Sequence, residues 1–294
     1  MENADNHIVK SKINVFMYHY YVVDAFTERA FGGNTAGVVL LEEKEFPYET
    51  WMLKVADELR YSETAFVRRQ DDGVWHLRYF TPRAEVELCG HATIATFALL
   101  HSLGLASGPC RALTLAGELE VIAAPKVMMQ MAKPRIISTI EATASVYDAV
   151  GIHGYEPELP VQVVSTGLPD IMLPVPSVEV LNTLQPNMEA IAALTAHYEA
   201  ISIHPFALSD DGYTAHVRDF APRCGVPEES ATGTANAALT HFLAAHAVIA
   251  EGEHSFLQGE AMGRPSTVAT RLDADGTVWV GGSAAIVAEG ALLA

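Results

Sequence analysis

Phe80-Thr81-Pro82-Arg83 leads through an acidic stretch to Gly90-His91-Ala92-Thr93 and then into an Ala-rich helix. Phe220-Ala221-Pro222-Arg223 leads through a second acidic stretch to Gly233-Thr234-Ala235-Asn236 and another Ala-rich helix. Each run reads as strand, loop, small-residue turn, buried helix. Such self-similarity is the mark of a repeated structural unit, although short common words also match by chance. The repeat predicts two similar halves facing each other across a cleft. Around Ala132 to Pro134 the chain starts again, which sets one half at residues 14–132 and the other at 133–282, with a C-terminal segment of about 283–294 packing back onto the first.

Between these landmarks the patterning is mixed. Val15 to Asp24 is β-branched and aromatic, a strand signal, and Phe31-Gly32-Gly33-Asn34 is turn chemistry before a short strand at Gly37 to Leu41. Met52, Val55, Ala56 and Leu59 fall on one helical face between Tyr48 and Arg60. Thr64–Arg69 and Val74–Phe80 form a hairpin around Asp71-Asp72-Gly73. A helix runs from Gly90 to about Leu103, and Arg111 to Met131 alternates as two or three strands. In the second half, strands are predicted at Val161–Ser165, Ile171–Val175, Ile201–Ala207 and Tyr213–Phe220. Helices are predicted at Asn187–Tyr198 and from Gly233 to about Ala245, before a strand-rich end at Ser255–Val287.

The 294 residues are 50% hydrophobic, enough for one large or two ordinary domains. A net charge of -18 argues against general binding to nucleic acid or anionic membrane. It leaves room for a small anionic ligand, because backbone N–H groups bind anions without Lys or Arg. Cys89, Cys110 and Cys224 are odd in number and lack zinc spacing, so reduced thiols in a cytoplasmic compartment are expected. Met1 to Lys12 is polar, with no signal-peptide core, and reads as a frayed extension. No apolar run has membrane-spanning length.

Gly90 and Gly233 sit where the two Ala-rich helices begin, with His91 and Thr234 one step on. A helix N-terminus offers free N–H donors and partial positive charge, and small residues let a ligand approach the backbone. Two such ends aimed at one cleft would cradle a carboxylate; the plainer reading is that the glycines allow tight helix packing. His91 at a helix start is expected to stay neutral, able to donate a hydrogen bond or relay a proton. Glu63, where a helix gives way to the apolar strand Thr64-Ala65-Phe66-Val67, is placed for partial burial and for acid/base work, or else is a turn acid or ion-pair partner. Glu85 and Glu87 alternate with apolar residues and read as solvent-facing. Glu228-Glu229 reads as a solvated pair, unless Glu229 orients the second glycine turn or His91. Cys89 is either a small buried residue or a thiolate favoured by the helix end.

These residues also match a known family. Asp24-Ala25-Phe26 with Gly33-Asn34-Thr35-Ala36-Gly37-Val38-Val39 resembles the opening of PhzF-like proteins of phenazine biosynthesis. Ser62-Glu63-Thr64-Ala65-Phe66-Val67, Phe80-Thr81-Pro82 to Cys89-Gly90-His91-Ala92-Thr93, Glu228-Glu229-Ser230-Ala231-Thr232-Gly233-Thr234-Ala235, and Gln258-Gly259 with Gly263-Arg264-Pro265-Ser266 follow in the family's order. The resemblance implies an α/β (α+β) protein of the diaminopimelate epimerase-like fold, in two pseudo-symmetric halves, each a sheet curled around a central helix. It implies a homodimer without metal or organic cofactor. It also implies an isomerase similar to the one acting on trans-2,3-dihydro-3-hydroxyanthranilate. The family's catalytic glutamate falls on Glu63, its glycine–histidine on Gly90 and His91, its second-half aspartate on Glu229, its glycine–serine on Gly233 and Thr234, and its substrate-adjacent asparagine on Asn34. Glu for Asp at 229 and Thr for Ser at 234 depart from the pattern. The expected chemistry is a proton shift on a small anionic substrate. An amino-acid racemase, which commonly needs a cysteine from each half, and a non-catalytic small-acid-binding dimer are the alternatives.

Overall fold

A computed structural model describes residues 17–293. The reading of Met1 to Lys12 and the start of the first strand at Val15 lie outside the described residues. The first half contains β1 (Met17–Ala25), β2 (Asn34–Leu40), β3 (Glu63–Arg69), β4 (Trp75–Phe80), the two-residue β5 (Glu85–Val86), β6 (Gly108–Thr114), β7 (Gly117–Ala123) and β8 (Val127–Gln130), with α1 (Glu49–Leu59) and α2 (Gly90–Ser102). The second contains β9 (Arg135–Thr139), β10 (Gln162–Ser165), β11 (Pro169–Pro174), β12 (Ser202–Leu208), β13 (Ala215–Val217), β14 (Gly252–Gln258), β15 (Ser266–Leu272) and β16 (Val278–Gly282). Its helices are α3 (Ala144–Val150), α4 (Val178–Thr183), α5 (Met188–His197) and α6 (Gly233–Ala245). The last strand, β17 (Ala284–Leu293), returns to pair with β1.

The pairing order makes the duplication explicit. In the first half β17, β1, β2, β3, β4, β6, β7 and β8 lie side by side, and the successive contacts run antiparallel, antiparallel, parallel, antiparallel, parallel, antiparallel, antiparallel. In the second half β9 to β16 lie side by side in numerical order with the same series of directions. An antiparallel contact between β8 and β16 joins the two. Parallel neighbours need a crossover, and each crossover carries a helix: α1 and α2 in the first half, α4 with α5 and then α6 in the second.

α2 and α6 are the helices around which the sheets curl. A helix apolar all round belongs in a core, and His91 to Phe97, Leu99 and Leu100 of α2 are all buried. α6 buries Gly233, Ala235 to Thr240, Phe242 and Leu243. The amphipathic α1 buries only Met52, Val55 and Ala56. Three elements escaped the sequence reading: α3 and α4 are too short to build a helical period, and β9 is exposed at every residue and so shows no alternation. β13 is shorter than expected because its ladder ends at Val217; Phe220 makes only an isolated bridge to Ile203 before the 3₁₀ turn at Pro222–Cys224.

Candidate active site

The two central helices begin alike. Each has 13 residues and starts at a glycine, and each is preceded by an extended residue, Cys89 (φ −138°) or Thr232 (φ −124°), whose side chain makes no capping hydrogen bond. Neither carries an acidic residue in its first turn. The short helices α4 and α5, by contrast, are capped by Ser177 and Asn187. The starts of α2 and α6 therefore keep donors and positive potential for something other than their own side chains. The glycines are not there for tight packing. A Cβ on Gly90 would meet only Met129 Cε at 3.8 Å, and one on Gly233 would meet Phe26 and Val280 at an ordinary 3.5 Å.

Glu63 opens β3 and is placed by parallel pairing with Ala36 of β2. Its Oε2 lies 3.3 Å from His91 Nε2. The contact lacks hydrogen-bond alignment, and Oε2 is a buried atom with no hydrogen-bond partner. His91 is 8% exposed, with Ser62 Oγ 3.4 Å from Nε2 and Cys89 Sγ 3.4 Å from Nδ1. Burial lowers the His91 pKa and the Glu63 carboxylate opposes that, so the ring is neutral at physiological pH. Neutrality was expected, but burial is the main cause. Cys89 is the buried small residue of the two readings: burial, then the Glu63 charge, push its thiol well above the ordinary range. A Glu63 carboxylate oxygen, Cys89 Sγ and one His91 ring nitrogen lie within 4.8 Å of one another, a donor set that could hold a metal ion.

Glu229 comes from the other half. Asn34 Nδ2 donates to Glu229 Oε2 (2.9 Å) and to the Ala231 carbonyl (3.0 Å). Burial, then the charges of Glu63 and Asp219, push the Glu229 pKa up to about 8, against the smaller opposing effect of the Asn34 bond. The solvated-pair reading of Glu228-Glu229 therefore fails twice, because Glu228 takes a bidentate bond from Arg218 Nε and Nη2, both at 2.8 Å. Glu85 is likewise not solvent-facing: Arg78 Nε and Nη2 both reach it at 2.6 Å. Thr234 sits on the first turn of α6, and its carbonyl accepts from Thr166 Oγ1 at 3.0 Å.

Two residues outside the predicted set brace this corner. Gln258, fully buried, donates from Nε2 to the Glu229 carbonyl (2.9 Å) and Thr232 Oγ1 (3.1 Å), and its Oε1 accepts from the Thr232 N–H (3.0 Å) and Asn236 (2.9 Å). Arg264 reaches across from the second half to the carbonyls of Gly32 (2.7 Å) and Gly33 (2.9 Å) and to Asp24 (3.1 Å), and Ser230 Oγ donates to the Gly33 carbonyl at 3.0 Å. This clasp sets Asn34. Gly33 is obligatory there, since at φ +63° a Cβ would fall 2.1 Å from the Ala25 carbonyl oxygen. The closing Gln258 and Gly263-Arg264-Pro265 motif was the sequence signal for both braces.

The structure thus gathers Glu63, His91, Asn34 and Glu229 into one polar cluster, with Gly90, Gly233 and Thr234 at the flanking helix starts. Two cavities, of about 260 Å³ beside Trp75 and Leu105 and about 400 Å³ between Lys133, Arg135, Ser165 and Gly167, include none of these side chains. Among the described residues no helix is long and apolar enough to cross a membrane.

Comparison with known proteins agrees with this architecture. An uncharacterized isomerase of Escherichia coli O157:H7, YddE, is 31% identical over 285 residues, covering 91% of this chain and 95% of the relative. A Bacillus anthracis phenazine biosynthesis protein of the PhzF family superposes with a TM-score of 0.84 at 26% identity, covering 95% of this chain and all of that one. A hydroxyproline epimerase from Agrobacterium vitis shares the fold alone, with a TM-score of 0.62 at 12% identity over 94% of this chain and 92% of that one. The family model described as phenazine biosynthesis-like protein, PhzC-PhzF, matches residues 23–290, so the chain belongs to that family and is an isomerase with the two-halved epimerase-like fold.

Proposed function

We propose that this isomerase catalyses a cofactor-independent proton shift on a small anionic cyclic substrate of the trans-2,3-dihydro-3-hydroxyanthranilate type, with Glu63 as general acid/base. The observation that carries the reading is that two carboxyl groups from opposite halves lie near enough for the charge of one to act on the other. The charge on Glu63 is, after burial, the largest cause of the rise of Glu229 to about 8. A Glu229 held protonated can donate a hydrogen bond to the substrate while Glu63 moves the proton.

Glu63 removes a proton from a carbon beside an activated π-system. The double bond shifts, and the same carboxyl returns the proton to another carbon on the same face, so one carboxylate serves both transfers. The uncapped starts of α2 and α6 hold the substrate carboxylate and the negative charge that develops on the π-system. Neutral His91 and protonated Glu229 donate to substrate heteroatoms. Two-thiol racemisation is disfavoured by a specific position: the counterpart of Cys89 before the second helix is Thr232, and Cys89 itself is held as a neutral thiol.

The test incubates cyclic enamine and diene acids in D₂O with wild type and Glu63→Gln. Deuterium uptake with wild type that falls by about 10²-fold or more in the variant supports the role. Equal uptake by both proteins removes Glu63 from it, and tight binding without exchange of any ligand leaves a small-acid-binding module instead.

A further inference from the structure

We propose that Glu63, Cys89 and His91 together bind one borderline-soft divalent cation, zinc foremost, and that the bound ion silences the proton shift. A tetrahedral zinc ion with bonds of about 2.0–2.3 Å spaces one N, one O and one S ligand roughly 3.3–3.6 Å apart, so the sulfur would move in by a few tenths of an ångström. His91 Nε2 already lies 3.3 Å from Glu63 Oε2 and 3.8 Å from Cys89 Sγ, and all three donor atoms lie within 4.8 Å of one another.

The donors are set by rigid elements: Glu63 by the first residue of β3, Cys89 and His91 by the start of α2. Two further observations point to a ligand in their midst. Glu63 Oε2 is buried without a hydrogen-bond partner, and the His91 side chain, only 9% exposed, faces it without the alignment of a hydrogen bond. An ion between them gives Glu63 Oε2 its missing partner, and His91 Nε2 exchanges its 3.4 Å contact with Ser62 Oγ for a metal bond. Carboxylate, imidazole and thiolate are an ordinary zinc set, and three protein ligands leave a fourth position for water or a substrate oxygen. On binding, the Cys89 S–H bond breaks, its proton leaves to solvent and a metal–sulfur bond forms. The ion occupies the Glu63 lone pairs that the isomerase reading assigns to proton transfer, and ties up the His91 ring that the same reading turns towards the substrate. The silencing, but not the binding, therefore rests on that reading.

The experiment titrates the full-length, chelator-treated protein with Co²⁺ and follows thiolate-to-cobalt charge transfer and tetrahedral d–d absorption, then displaces cobalt with Zn²⁺. One equivalent with a tetrahedral spectrum is expected. Cys89→Ser removes the charge-transfer band, Glu63→Gln weakens binding by about tenfold or more, and the double variant Cys110→Ser/Cys224→Ser leaves the spectrum intact. A spectrum without sulfur ligation, or one abolished by the double variant, overturns the site. If Cys89→Ser does not fold, X-ray absorption on zinc-loaded wild type decides: a first shell of one sulfur with nitrogen and oxygen supports the proposal, and a shell of nitrogen and oxygen alone overturns it. None of these readouts uses substrate, so they stand apart from the isomerase assignment. Turnover that persists with zinc bound at this set overturns the silencing.

Discussion

The two glycine corners are built on one scaffold and furnished for different chemistry. Thr64 faces Phe80 in the first half as Ile203 faces Phe220 in the second. By that register Glu63 corresponds to Ser202 and Tyr79 to Asp219, and aligning the two helix starts matches Cys89 with Thr232 and His91 with Thr234. Each corner keeps a bidentate arginine–glutamate pair between the strand and the acidic stretch, Arg78 with Glu85 and Arg218 with Glu228. The first corner places its acid, imidazole and thiol together, with donor atoms within 4.8 Å of one another. The second hides its charge: Asp219, 1% exposed, accepts from Ser202 (2.6 Å), His204 (3.0 Å) and Thr232 (2.9 Å), and next to it burial and the Asp219 charge hold Asp170 well above the usual carboxylate range. That buried charge helps keep Glu229 protonated. Where the halves agree the residues pair a strand with the acidic stretch; where they differ one corner gathers titratable groups and the other buries its own.

The sharpest way to break this comparison is to delete equivalent side chains. Glu63→Gln is expected to lower exchange by about 10²–10⁴-fold, whereas Ser202→Ala, at the same register position, changes it far less. Initial rates on folded variants, checked by circular dichroism, decide, and equal losses would erase the assigned asymmetry.

The scaffold pairs come next. Arg218 is 8% exposed and also donates to the carbonyls of Leu181 (3.2 Å) and Leu184 (3.3 Å). Arg218→Ala leaves Glu228 partly buried and unpaired and should cost about 3–5 kcal/mol in urea unfolding. Arg78→Ala, at a side chain 20% exposed, should cost less.

Glu229 gives a pH signature. Its folded pKa of about 8 lies above the usual 4.5, so the folded protein holds a proton that the unfolded chain releases between those values. The stability this group supplies is full below pH 4.5 and is lost as pH rises towards 8. Glu229→Gln should remove that slope and, by a few kcal/mol at most, make the protein relatively more stable at pH 8.5 than at pH 6. Denaturant unfolding at the two pH values measures it, and an unchanged slope places the titration elsewhere.

The smallest effects belong to the glycines. Gly90→Ala and Gly233→Ala meet no close neighbour and should change stability by less than about 1 kcal/mol. If the helix starts hold substrate, both raise KM while melting temperature stays near wild type.

Sequence alone determined the duplicated fold, the central helices, the β3–β4 hairpin and the candidate residues at the helix starts. These features are local, written in apolar period, turn residues and short words that recur in both halves. Tertiary structure decided what those residues meet. Asn34 and Glu229 stand 195 positions apart, and no spacing rule connects them. The arginine–glutamate pairs were hidden because their separations differ, 7 residues in one half and 10 in the other. Whether Cys89 is thiol or thiolate, and whether Glu229 carries a proton, depends on burial and on charges brought close from the opposite half. Electrostatic energy follows distance in space and the local dielectric, neither of which the order of residues records.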